Sequence, residues 1–125
     1  MTDTLPRILV VEDEALLAIG LEIELSGAGY KVAGPCASVA QALDVMKSGP
    51  IDAAVIDVNL SGDFVFPLAD HLIGRGTPFV LLSGYDEHQL PERYRRLPRL
   101  AKPHLPETLF RMIDQLLAAV VPARA

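Results

Sequence analysis

Residues 51–57 form an apolar run, interrupted only by Asp52, that closes on Asp57 and continues as Val58-Asn59-Leu60. Such a run reads as a buried strand. A carboxylate at its end loses water and hydrogen bonds, so it needs a compensating cation or a chemical task. The arrangement recurs along the chain. Arg7-Ile8-Leu9-Val10-Val11 ends in Glu12-Asp13, Phe79-Val80-Leu81-Leu82 ends in Ser83, and Leu100-Ala101 ends in Lys102-Pro103. Strands finishing in acid, acid, hydroxyl and amine point to one polar site at the carboxyl edge of a parallel sheet.

Helical patterns separate these strands. Residues 14–28 carry Leu16, Leu17, Ile19, Leu21, Ile23 and Leu25, which suits an amphipathic helix stopped by Gly27 and Gly29. Tyr30-Lys31-Val32-Ala33-Gly34 reads as a short second strand entering a turn at Pro35. Ser38 is the expected N-cap of a helix reaching Met46 and ending near Gly49-Pro50. A loop with Ser61-Gly62-Asp63 precedes a helix over 64–73, closed by Gly74 and Gly76, and a last helix spans 108–121. Residues 86–98 hold Pro91, Pro98 and many charges, which predicts a weak or irregular fourth helix. Residues 122–125 are expected to fray. Strands alternating with helices imply an α/β fold: a doubly wound, five-stranded parallel sheet in the flavodoxin-like order 2-1-3-4-5. The switch point then lies between the first and third strands, where Glu12, Asp13 and Asp57 meet.

A length of 125 residues, half of them apolar, is that of a single packed domain over 1–125, with no output domain expected. The formal charge of −5 gives no general affinity for nucleic acid or an anionic membrane surface. The basic stretch Arg93, Arg95, Arg96, Arg99 and Lys102 lacks the interleaved aromatics that stack bases and reads as solvated surface. Cys36 alone excludes an internal disulfide and reads as a small buried hydrophobe. His71, His88 and His104 have no metal-ligand spacing and read as structural. No signal peptide or membrane-length apolar stretch is visible, so a cytoplasmic location is expected.

Three carboxylates at one edge repel one another, and a divalent cation resolves the repulsion. Mg²⁺ prefers carboxylate, carbonyl and water oxygens. Asp13 and Asp57 can supply side-chain ligands, Glu12 can act directly or through water, and Asn59 can offer its backbone carbonyl. The cation would disperse negative charge on an incoming phosphoryl group and let anionic Asp57 approach it. Asp57 would then form an acyl phosphate as nucleophile. Lys102 would contact phosphoryl oxygens as a point charge, Ser83 would hold another oxygen, and Gly84 would leave space for an in-line donor or water. Each residue alone has a plainer reading, as a turn former, a helix-dipole partner or a loop start. Their joint occurrence at successive strand ends outweighs it.

These residues together resemble the receiver domain of bacterial two-component response regulators, over essentially the whole chain. The resemblance implies a five-stranded, five-helix sandwich and transfer of a phosphoryl group to Asp57 from the phosphohistidine of a sensor histidine kinase or a phosphotransfer protein. It implies Mg²⁺ bound by Glu12, Asp13, Asp57 and the Asn59 carbonyl, Ser83 as switch hydroxyl, and a cis Lys102–Pro103 peptide. Pro78-Phe79-Val80-Leu81-Leu82-Ser83-Gly84-Tyr85 is similar to the P-F-x-F-A-T-G-Y motif of receivers that pair with HWE-type kinases, departing at Leu81, Leu82 and Ser83. Such domains usually carry an aromatic switch residue three positions before the lysine, where this chain has Arg99. Tyr85, with residues 86–98, is expected to serve instead.

The expected function is a stand-alone receiver, phosphorylated on Asp57 and signalling to a downstream protein through strands four and five and the last helix. Turnover of an external substrate is not expected. Aspartate-based phosphohydrolases use D-x-D with the second Asp as acid and base, and Asn59 at that place cannot shuttle a proton. A third possibility is an interaction domain that keeps the site without using it.

Overall fold

The computed structural model describes residues 5–60, 63–84 and 92–124. In chain order the elements are β1 (Arg7–Val11), α1 (Ala15–Gly27), β2 (Lys31–Cys36), α2 (Val39–Lys47), β3 (Ala53–Asp57), β4 (Asn59–Leu60), β5 (Asp63–Phe64), α3 (Phe66–Arg75), β6 (Phe79–Ser83), β7 (Arg99–Ala101) and α4 (Pro106–Arg124). Five strands form one sheet in the order β2-β1-β3-β6-β7, every pairing parallel. Counting that sheet's strands alone, this is the predicted order 2-1-3-4-5.

Period-two alternation gives each central strand two apolar faces. Ile8, Val10, Ala53, Val55, Val80 and Leu82 pack with Leu21 and Leu25 of α1 and with Leu109 and Ile113 of α4. Leu9, Val11, Ala54, Ile56, Phe79 and Leu81 pack on the other face with Ala42 and Met46 of α2 and with Leu68, Ala69 and Leu72 of α3. Cys36 lies in this second core, and burial pushes its thiol pKa up. Parallel strands require crossovers, and the helices supply them.

The caps follow local chemistry. Ser38 accepts the Gln41 N–H at 3.1 Å at the start of α2, as the sequence predicts. Pro67 sits in the first turn of α3, and Gly76 closes that helix in the left-handed region at φ 72°. Asp52 accepts the Arg7 N–H at 2.8 Å at the edge of the sheet away from Asp57.

The structure departs from the sequence reading at four places. β2 does not turn at Pro35 but continues to Cys36, with a register shift against β1 between Leu9 and Val11. Gly34 makes this possible: its φ is 101°, and a Cβ there would meet Cys36 N at 2.8 Å and Val10 O at 3.0 Å. The loop after β3 contains a short antiparallel hairpin, β4 with β5, and α3 begins at Phe66. The stretch over 86–98 is no departure. Residues 86–91 lie outside the description, and Glu92–Tyr94 form one 3₁₀ turn, in keeping with the weak or irregular helix expected there beside the four α-helices of the described residues. α4 continues through Pro122 to Arg124, where fraying was expected. Finally, α1 is helical but buries only Ala18, Leu21 and Leu25, leaving Leu16, Leu17, Ile19 and Ile23 exposed. Its apolar residues run around the helix, and only one stripe can face the sheet.

Candidate functional site

β1 and β3 are adjacent and in parallel register, Val11 opposite Ile56, so the residues leaving both strands emerge together. Glu12 is held there by the β2 bulge, since its N–H donates to the Cys36 carbonyl at 2.8 Å. One oxygen from each of Glu12, Asp13 and Asp57 lies within 4.8 Å of the other two. Octahedral Mg²⁺ with ligands at ~2.1 Å sets ligand oxygens about 3–4 Å apart, so this trio fits a small hard cation. Asn59 follows two residues after Asp57, at the start of the β4–β5 hairpin.

Lys102 enters from the end of β7. Its Nζ donates to Glu12 Oε1 at 3.1 Å and to Asp57 Oδ2 at 3.0 Å. Its backbone N–H donates to the Ser83 carbonyl at 3.0 Å, which fixes the base of the side chain. The Lys102–Pro103 peptide is cis, as the resemblance implies, and so is Gly34–Pro35. Ser83 ends β6, one residue beyond Leu82, which pairs with Asp57. It is buried at 4 % exposure, on the same edge of the sheet as the acids.

The charges are strongly coupled. Burial, followed by the neighbouring Asp57, pushes the Glu12 carboxyl up to about 7, opposed by the Glu14 N–H and the Lys102 amine. For Lys102, burial works against the charge, but the Asp57 and Glu12 carboxylates outweigh it and hold the amine above its ordinary value. One ammonium is therefore shared by two buried carboxylates, with a third acid alongside. A divalent cation would relieve that crowding and free the amine to face another anion.

The structure thus brings together Glu12, Asp13, Asp57 and Lys102, with Ser83 on the adjoining strand end. Tyr85, expected as switch residue, lies outside the described residues. A Cβ at Gly84 would meet nothing within 4 Å among the described residues, so the space beside it is open. Arg99, at the usual aromatic position, pairs with Leu81 and is half-buried.

Two features escaped the sequence. Tyr94, in the 3₁₀ turn, is 3 % exposed and stacks on Phe66, ring centroids 4.1 Å apart and planes 10° from parallel. Its hydroxyl donates to Asp70 of α3 at 3.1 Å. Its only sequence signal is being the lone aromatic ring of Phe, Tyr or Trp type between residues 86 and 98. His104, two residues past Lys102, packs against α1 with Nε2 3.4 Å from Glu24 Oε1. A pair eighty residues apart leaves no trace in local spacing.

No family model matches the chain. The fold is that of receiver domains, as the solved structures similar to it show. The chain is 37 % identical to SdrG from Sphingomonas melonis Fr1, whose solution structure superposes with a TM-score of 0.79 over 93 % of this chain and 99 % of that one. It is 29 % identical to the signal receiver domain of a modulated diguanylate cyclase from Desulfovibrio desulfuricans G20, with a TM-score of 0.78 over 92 % and 95 % of the two chains. It is 25 % identical to a CheY-like response regulator receiver domain from Methylobacillus flagellatus, with a TM-score of 0.79 over 90 % and 99 %. The transcriptional regulatory protein PdtaR of Mycobacterium tuberculosis is 28 % identical over 90 residues, 71 % of this chain. The chain spans 44 % of that relative's length. This chain belongs to the response-regulator receiver domains.

Proposed function

We propose that the chain accepts a phosphoryl group on Asp57 in a Mg²⁺-dependent reaction and signals through the resulting change of surface. The observation that carries this reading is Lys102 Nζ lying 3.0 Å from Asp57 and 3.1 Å from Glu12, with Asp13 completing the acid cluster. Glu12, Asp13, Asp57 and the Asn59 carbonyl would hold the cation. When bound, it would lower the negative potential that otherwise repels a phosphate dianion. Asp57 Oδ would attack phosphorus as the donor's leaving group departs in line, giving an acyl phosphate. Lys102 would exchange its carboxylate contacts for a phosphoryl oxygen, and the Ser83 hydroxyl would donate to another. Hydrolysis by water later returns the carboxylate.

The donor is a phosphohistidine of a sensor histidine kinase, of HWE type on the similarity of residues 78–85, or of a phosphotransfer protein. The exposed Leu16, Leu17, Ile19 and Ile23 of α1, beside the site, support docking of such a protein. A downstream protein would read the face of β6, β7 and α4. External phosphate esters are not substrates in this reading, since Asn59 replaces the acid and base. Among the described residues no helix is long and apolar enough to cross a membrane.

Beryllofluoride, a stable stand-in for the phosphoryl group, gives the test. Adding it with Mg²⁺ should shift backbone NMR resonances around Asp57, Ser83 and Lys102, and Asp57→Asn should abolish the change. Shifts that survive Asp57→Asn, or none in the wild type, contradict the assignment.

A further inference from the structure

We propose that His104 and Glu24 form a positioning pair that keeps Lys102 within reach of Asp57 while the lysine changes partners. The inference rests on the acceptor reading above. Lys102 is held through its amine by Glu12 and Asp57, and the arrival of a phosphoryl group requires that amine to release at least one of them. A flexible four-carbon side chain would drift at that moment unless its segment were fixed elsewhere.

Residues 102–105 link β7 to α4, and their backbone is tied to β6 by the Lys102 N–H to Ser83 O bond at the near end. Two residues on, His104 Nε2 lies 3.4 Å from Glu24 Oε1 on α1, with the His104 side chain 14 % exposed. The partner is a carboxylate oxygen, which accepts, so the Nε2–H tautomer of His104 is the one that can donate in this contact. Helix α1 starts just after Glu12 and carries Glu24 near its far end, about 13 Å along the axis at 1.5 Å per residue. The segment is therefore held at two places, through Lys102 at Glu12, in the loop just before α1, and through His104 at Glu24 on α1 itself.

Between these contacts lies a groove of about 460 Å³, lined by Lys102, Pro103 and His104 on one side and by Leu17, Gly20 and Leu21 on the other. A Cβ at Gly20 would meet nothing within 4 Å, so the groove is open beneath the segment. The segment bridges a gap and is held at its ends. When the Lys102 amine lets go, the backbone tie to Ser83 remains and the His104–Glu24 contact still registers the segment against α1, and hence against Glu12 just before that helix. A displacement near 1 Å at a reacting group can cost about 100-fold in rate, so even a weak tie here has leverage.

Two readouts on the full chain test this. With Mg²⁺ and acetyl phosphate, followed by intact mass, His104→Ala should form the adduct about tenfold more slowly. Glu24→Ala should match it, and His104→Gln, which keeps an N–H for Glu24, should recover most of the rate. Mg²⁺ affinity should be unchanged in all three, because the cation's ligands are untouched. With Mg²⁺ and beryllofluoride bound, when the amine has changed partners, the Lys102 side-chain NMR resonances should move toward those of a solvent-exposed lysine in His104→Ala and not in His104→Gln. A wild-type rate in both alanine variants, or unmoved Lys102 resonances, overturns the positioning role alone. A wild-type chain that gains no adduct overturns the acceptor reading, and the positioning role falls with it.

Discussion

Glu12 is the residue on which the charge balance of the site turns. Burial and then Asp57 raise its carboxyl from 4.5 to about 7, so between those values the folded chain binds a proton that the unfolded chain has released. Stability from this group is therefore present at low pH and lost as pH rises through that window. At 1.36 kcal/mol per pH unit, the loss is on the order of 3 kcal/mol. In chelator, the urea midpoint should fall between about pH 4.5 and pH 7, and Glu12→Gln should flatten the fall. Saturating Mg²⁺ should remove most of it, because a bound cation favours the ionised carboxylate. Equal pH dependence in the wild type and Glu12→Gln would show that the site does not crowd this acid. The acids were legible in the sequence, because each closes an apolar run. The protonation of Glu12 was not, because it depends on Asp57 and Lys102 arriving from other strands.

At the scale of elements, the bulge of β2 sets the site's geometry. Gly34 lets the strand step past Leu9 so that Cys36 pairs with Val11 and its carbonyl receives the Glu12 N–H at 2.8 Å. Gly34→Ala forces a left-handed backbone on a residue with a Cβ and drives that atom into Cys36 N at 2.8 Å. The expected cost is about 2 kcal/mol or more in urea unfolding, with a displaced Glu12 amide resonance. An unchanged midpoint and unchanged Glu12 resonance would mean that the bulge does not position the acid. Residues 30–36 predicted a strand and a turn because Gly-Pro is punctuation in isolation; pairing with β1 overrides it. β1, β3 and β6 were legible because both their faces are apolar and they run uninterrupted into polar ends. The β4–β5 hairpin was not, since two-residue strands carry no periodicity.

Across the whole molecule, the sheet order and the placement of the site followed from the alternation of strands and helices and from the rule that ligands gather beyond strand carboxyl ends. Contacts between distant segments did not follow. Tyr94, surrounded by charges in sequence, is a buried anchor that stacks on Phe66. Phe66 itself follows Val65, whose N–H donates to the Val58 carbonyl at 3.1 Å. The residue after Asp57 is thus joined, through packed neighbours, to the segment that leads into β7. Tertiary partners made these positions apolar or paired, and local composition could not announce them.

Intact-mass measurement of the chain with acetyl phosphate addresses the central claim most directly. With Mg²⁺ present, one phosphoryl group should add to each chain, be lost on hydroxylamine treatment, and be absent both in chelator and in Asp57→Asn. Phosphorylation at an equal level in chelator, or in Asp57→Asn, would contradict a metal-assisted aspartyl acceptor at this site.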